Sequence, residues 1–180
     1  MSDQSLRDIL NRVVAATSNA VLAKLQSAEK GIKNVSFQFG PWEEIQLKLI
    51  DMTKNDKQRF LKFPLIAILE SYPEKAGQRY PELTLQVYIM HHTSKNYDSA
   101  KRDAKVFMPI LQPIKMEFLR QCALSSSFYG SIASNIQFTE VVNKYIGKED
   151  IYKTSGVPFA EFVDFIHLKD LKLYLNPYIC

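Results

Sequence analysis

ELTLQVYIMHH, residues Glu82–His92, is the stretch on which the fold class turns. From Leu83 to Met90 it alternates: Leu83, Leu85, Val87 and Ile89 share one side, and Thr84, Gln86, Tyr88 and Met90 share the other. Successive side chains of a strand leave on opposite faces, so this pattern describes a strand with one face in a core and the other only partly covered. A sheet with one wet face is the antiparallel kind, because strands buried on both sides read as unbroken apolar runs. FPLIAIL, Phe63–Leu69, is such a run, and it predicts a buried central strand entered through Pro64. Between the two, residues 70–82 carry Pro73, Gly77 and Pro81 among charges and read as a long hairpin connection.

Upstream, Leu6, Ile9, Leu10, Val13, Thr17, Val21 and Leu25 recur at three- and four-residue steps and predict an amphipathic helix over 3–29. Asp3 is its expected N-cap, and Gly31 its expected left-handed C-cap. Val35, Phe37 and Phe39 then alternate with Ser36 and Gln38 in a short strand that Gly40-Pro41 ends. Residues 42–54 fit either period. Pro41 before the run and Glu43 and Glu44 in its first turn favour a helix, whose N-terminal dipole attracts negative charge. The polar residues 53–62 read as an exposed loop.

Downstream, Ala100, Ala104, Phe107, Leu111, Ile114 and Phe118 predict a helix over 97–121. Pro109 and Pro113 each remove an amide, so a kink or break is expected near Met108. Residues 122–135 are rich in Ser and Gly and read as a mobile loop. The pattern from Ile136 to Tyr145 is weak. Phe162, Ile166 and Leu168, then Leu171, Leu173 and Leu175, form two runs joined by Lys169-Asp170, which predicts a terminal hairpin. The class that results is α+β: a mostly antiparallel sheet with helices packed on one face, in one domain over 3–180. Residues 122–180 stand as a C-terminal extension of it.

The chain has 180 residues, 46% of them hydrophobic, which suffices for one folded domain with a real core. Lys+Arg 23 against Asp+Glu 19 leaves a formal charge of +4 with no basic block, so charge alone does not argue for nucleic acid. The start, Met-Ser-Asp-Gln-Ser, lacks the basic and apolar regions of a signal peptide, and no apolar run approaches the roughly 20 residues that span a bilayer. A soluble, cytosol-type protein without a membrane partner is expected. Cys122 and Cys180 supply neither a disulfide framework nor a metal pair.

The residues able to carry chemistry are few. His91 and His92 are adjacent in a strand, so their rings are expected on opposite faces and unable to share one ion. His167 lies near Asp164 and Asp170, but Ser125, Ser126 and Ser127 sit in a loop, not at a nucleophile elbow. The glycines are all isolated, which excludes a phosphate-binding loop. No catalytic residue, cofactor or metal site is expected, and so no enzyme. Lys101, Arg102 and Lys105 make a small basic helix face, the candidate DNA-facing charges. Trp42, Phe128 and Tyr129 lie near polar segments and are the candidate interface anchors.

The order of helix, short strand, helix, FPLIAIL strand, long loop, ELTLQVYIMHH strand and a helix opening NYDSAKRDAKVF resembles that of bacteriophage tail terminator and tail-completion proteins of the head–tail joint. PWEEIQLKLIDMTK followed by KFPLIAILESYPEK is similar to the version carried by phages of Bacteroidetes. The resemblance covers residues 3–121, and the region 122–180 is longer than compact members of the family need. It implies a virion structural protein without a cofactor: a ring of sixfold or twelvefold symmetry between portal, connector or tail-tube proteins, with genomic double-stranded DNA passing through its lumen. The alternative is a nucleic-acid-binding module that uses the basic face around Lys101–Lys105, with strongly salt-dependent affinity.

Overall fold

The first helix, α1 (Leu6–Ala28), begins where the Ser5 hydroxyl accepts the Asp8 N–H at 3.2 Å and donates to the Asp8 carboxylate at 2.7 Å. Ser5 is therefore the cap, and the expected cap Asp3 lies outside the described residues. The computed structural model describes residues 5–54, 61–69, 74–75, 81–129, 136–146 and 162–176. At its other end α1 stops at Glu29, which turns extended (φ −146°) while its N–H bonds the Leu25 carbonyl at 2.8 Å. Gly31 is not the left-handed cap, because Glu29 has already ended the helix without one. Gly40 is the described glycine with positive φ (153°), at the sharp exit from β1 (Ser36–Gly40) into α2 (Trp42–Lys54). A Cβ there would lie 2.9 Å from a Glu44 carboxylate oxygen.

The strand β2 (Leu65–Leu69) runs parallel to β1 and antiparallel to β4 (Glu82–His92). A two-residue strand, β3 (Glu74–Lys75), pairs with the start of β4, which already includes Glu82; residues 70–73 and 76–80 of the predicted hairpin connection lie outside the described residues. β5 (Thr139–Ile146) and β6 (Val163–Tyr174) complete a mixed, mostly antiparallel sheet of order β1-β2-β4-β6-β5. The chain is α+β, as its sequence pattern predicts. β5 arises from a segment whose pattern predicts nothing, since it lies at the sheet's rim with Val141 and Val142 exposed.

One face of the sheet carries Ile66, Ile68, Leu83, Leu85, Val87, Ile89, Ile166, Leu168, Leu171 and Leu173, all buried. Against it pack α1, through Ile9, Leu10, Val13, Val14, Val21 and Leu25, and the long helix, through Val106, Phe107, Ile110, Leu111, Ile114 and Phe118. A smaller cluster on the opposite face joins Ile45 and Leu49 of α2 to Leu65, Ala67, Met90, Val163 and Phe165. The two longest helices thus share one face, and α2 covers part of the second.

The long helix, α3, runs through Ser99–Arg102, a π-helical stretch Asp103–Leu111 and Gln112–Leu124. It starts at Asp98, whose carboxylate accepts the Lys101 N–H at 2.8 Å. The prolines do not break it. Pro109 falls inside the π-helical stretch, where bonds such as Gln112 N–H to Phe107 carbonyl skip five residues and widen the turn. Pro113 follows at the junction where the helix passes from the π-helical stretch to the α-helical one. The wider turn also moves the buried line to Arg102, Val106, Ile110, Ile114, Phe118 and Cys122, so Ala100 and Ala104 face solvent instead of the core. Burial raises the Cys122 thiol far above its ordinary pKa.

Two further expectations are corrected. The terminal hairpin is a single strand: β6 pairs with β4 from Val163 to Tyr174, and a bulge sets Lys169 and Asp170 against Gln86, with Asp170 at φ 55°. That extra residue keeps Leu168 and Leu171, three apart, on one face. The segment after α3 is anchored where it is described. Phe128 bridges to Leu175, Tyr129 N–H bonds the Tyr174 carbonyl at 2.7 Å, and Asn176 N–H bonds the Ser127 carbonyl at 2.9 Å. Residues 130–135 lie outside the described residues. Lys62, expected in an exposed loop, is 2% exposed, with its ammonium 5.4 Å from the centre of the Phe63 ring.

Candidate functional site

Beyond the strip that α2 covers, the second sheet face is aromatic and then polar. Trp42 of α2 reaches Tyr88 with ring centres 5.7 Å apart, and Phe165 meets Tyr88 edge-on at 5.7 Å. His167 stacks flat on Tyr88 at 4.1 Å and 10°. Asp170 accepts from the Gln86 amide nitrogen at 2.8 Å, which leaves the amide oxygen to accept from His167 Nε2–H at 2.7 Å. Burial holds the His167 pKa below 6.5; Lys169 pushes the same way and Asp170 opposes it. Further out, Tyr174 donates to Glu82 at 3.2 Å. Val141, opposite His167, and Val142 on the edge strand β5 are exposed, as are Tyr129 and Tyr174.

Of the anchors expected from the sequence, Tyr129 lies on the surface, half exposed, and Trp42 is half-buried against Tyr88. Phe128 is corrected to a core residue: it is 5% exposed and packs in the main cluster, because its backbone pairs with Leu175. The basic face is corrected as well. Lys101 and Lys105 are exposed, but Arg102 points inward and donates to the buried Asp164 at 2.9 Å and to the Tyr97 carbonyl at 2.9 Å. A guanidinium this far inside the protein is held by a buried carboxylate and is not available to a phosphate backbone. Ser125 accepts from the Ser127 N–H at 3.3 Å, while His167 bonds Gln86, so those groups take separate partners.

The end of β4 holds the arrangement that sequence reasoning missed. His91 and His92 do not diverge there: their ring centres lie 4.2 Å apart at 43°, with Phe63 set edge-on to His91 at 6.4 Å. Both rings address the Glu29 carboxylate, His91 Nε2 at 3.0 Å from Oε2 and His92 Nε2 at 3.6 Å from Oε1. The hydrogen bond from His91 lowers the Glu29 pKa, against an opposing push from burial, and the charges of His91 and His92 lower it further. His91 is 1% exposed, Glu29 38% and His92 51%, so the cluster is closed on one side and wet on the other. Glu29 stands 62 residues before His91, and no spacing in the sequence links them.

No protein-family model matches this chain, and a comparison with curated proteins gives no match, so the functional argument rests on residues and geometry.

Proposed function

We propose that the chain is a non-enzymatic structural subunit that closes with copies of itself into a ring at the head–tail joint or tail end of a virus particle. The observation that carries this reading is the sheet order β1-β2-β4-β6-β5. β1 and β5 are its outer strands, and each pairs on one side only among the described residues. An edge strand offers a row of unpaired backbone groups that proteins cover or use. Two different edges on one sheet suit a head-to-tail contact, and a contact of that kind repeated by rotation closes a ring. Val141 and Val142 on β5 give that contact apolar area without a large greasy patch. Portal, connector or tail-tube proteins would be the neighbours above and below the ring, and DNA would pass through its lumen without being read.

The test is electron microscopy of particles assembled without this protein, or with Val141→Lys and Val142→Lys together. Heads and tails that fail to join, or particles that lose their genome, support the reading. Normal joining with the genome retained overturns it.

A further inference from the structure

We propose that Glu29, His91 and His92 form a binding site for one zinc-class divalent metal ion, a clamp between the end of α1 and the end of β4. The three ligand atoms lie within 4.8 Å of one another. Zinc holds imidazole nitrogen and carboxylate oxygen at about 2.0–2.2 Å in a tetrahedron, which places neighbouring ligand atoms about 3.3–3.6 Å apart. His91 Nε2 lies 3.0 Å from Oε2 and His92 Nε2 lies 3.6 Å from Oε1, and the ligand atoms all stay within 4.8 Å of one another, so side-chain shifts on the order of an ångström close them around one ion.

His91 makes a good bond to Glu29, but 3.6 Å is too long for one from His92. A cation between the three engages both rings and both sides of the carboxylate. Two histidines and one carboxylate, with the wet side left for water, are a donor set that suits zinc and its neighbours and not calcium or magnesium, which take oxygen.

The surroundings also set the strength. Ligating histidines ordinarily donate their second ring N–H to an acceptor, and losing that partner weakens binding about 10–100-fold. His91 Nδ1 is buried and has no hydrogen-bond partner among the described residues. The clamp is therefore about 10–100-fold weaker than one with that second bond in place. By joining elements 62 residues apart it stabilises the folded chain, by an amount that grows logarithmically with the free metal concentration above the dissociation constant.

The test uses the whole chain stripped with a chelator and titrated with Co(II), then Zn(II). One equivalent of Co(II) giving the visible bands of a four-coordinate site, displaced by Zn(II), is the expected result. The melting temperature should rise by about 5 °C at saturating Zn(II). His92→Gln and Glu29→Gln, both at partly exposed positions, should abolish the bands and the thermal shift, whereas His167→Gln should keep both. No stoichiometric Co(II) uptake by the parent chain, or uptake unchanged in His92→Gln, overturns the site.

Discussion

Deleting Asp170 from the middle of β6 should be tolerated better than replacing it with valine. Lys169 and Asp170 together face Gln86, so removing one residue leaves Leu168 opposite Val87 and Leu171 opposite Leu85 in a regular ladder. The deletion loses the Gln86–Asp170 hydrogen bond, worth about 0.5–1.5 kcal/mol net. It also removes a residue at φ 55°, a conformation that costs most L-residues roughly 1–2 kcal/mol. The two terms nearly cancel, and the net change should stay within about 1 kcal/mol. Valine forfeits the same hydrogen bond and forces a β-branched residue into the left-handed region, for a loss of about 2–4 kcal/mol. Were the strand regular through Asp170, the deletion would swing Leu171 and Leu173, both 0% exposed, out of the core. At about 1.5–3 kcal/mol each, that is a loss of about 3–6 kcal/mol. Urea denaturation followed by circular dichroism resolves these cases. A deletion variant that loses more than about 3 kcal/mol, or that is less stable than Asp170→Val, refutes the bulge as the device that keeps β6 in phase.

Phe107→Ala should cost about 3–5 kcal/mol, because Phe107 is buried in the same cluster as Leu85, Val87 and Leu111; a loss under about 1 kcal/mol in chemical denaturation would contradict that packing. Asp164→Ala should destabilise by about 3–5 kcal/mol by leaving the Arg102 charge buried without its carboxylate, while Arg102→Met with Asp164→Leu should recover most of the loss, as a double-mutant cycle would reveal. His167, with a folded-state pKa below 6.5, binds its proton more readily when unfolded, so its contribution to stability is complete above pH 6.5 and falls as pH drops toward the folded value. Denaturation at a series of pH values, with Tyr88, Gln86, Lys169 and Asp170 left intact, should show this slope in the parent chain and a shallower one in His167→Gln; equal slopes would count against it.

Periodicity was enough for the elements whose side chains meet one environment along their whole length. The alternation in Glu82–His92 survives in the structure because a single core lies against Leu83, Leu85, Val87 and Ile89. The spacing from Leu6 to Leu25 survives because α1 lies along that same core. Pro41, Glu43 and Glu44 decided α2, since the backbone amides of a first turn favour those residues whatever packs against the helix. Where the pattern breaks phase, the sequence offers two local solutions of similar cost. A break at Lys169-Asp170 fits a tight turn or a bulge, because both use a left-handed residue, and only the continuous partner β4 selects the bulge. The same holds at Pro109, where the π-helical turn and a broken helix both answer the missing amide, and burial along the core face selects the continuous helix.

The polar residues were decided almost entirely by tertiary structure. Arg102 reads as a surface charge until Asp164, 62 residues away, meets it from β6. Phe128 reads as a surface anchor until Leu175 pairs with its backbone. His91 and His92 read as divergent until Glu29 arrives from the end of α1 and both rings address it. Apolar burial repeats along a chain and leaves a period, whereas a charge or an imidazole is placed by one distant partner and leaves none.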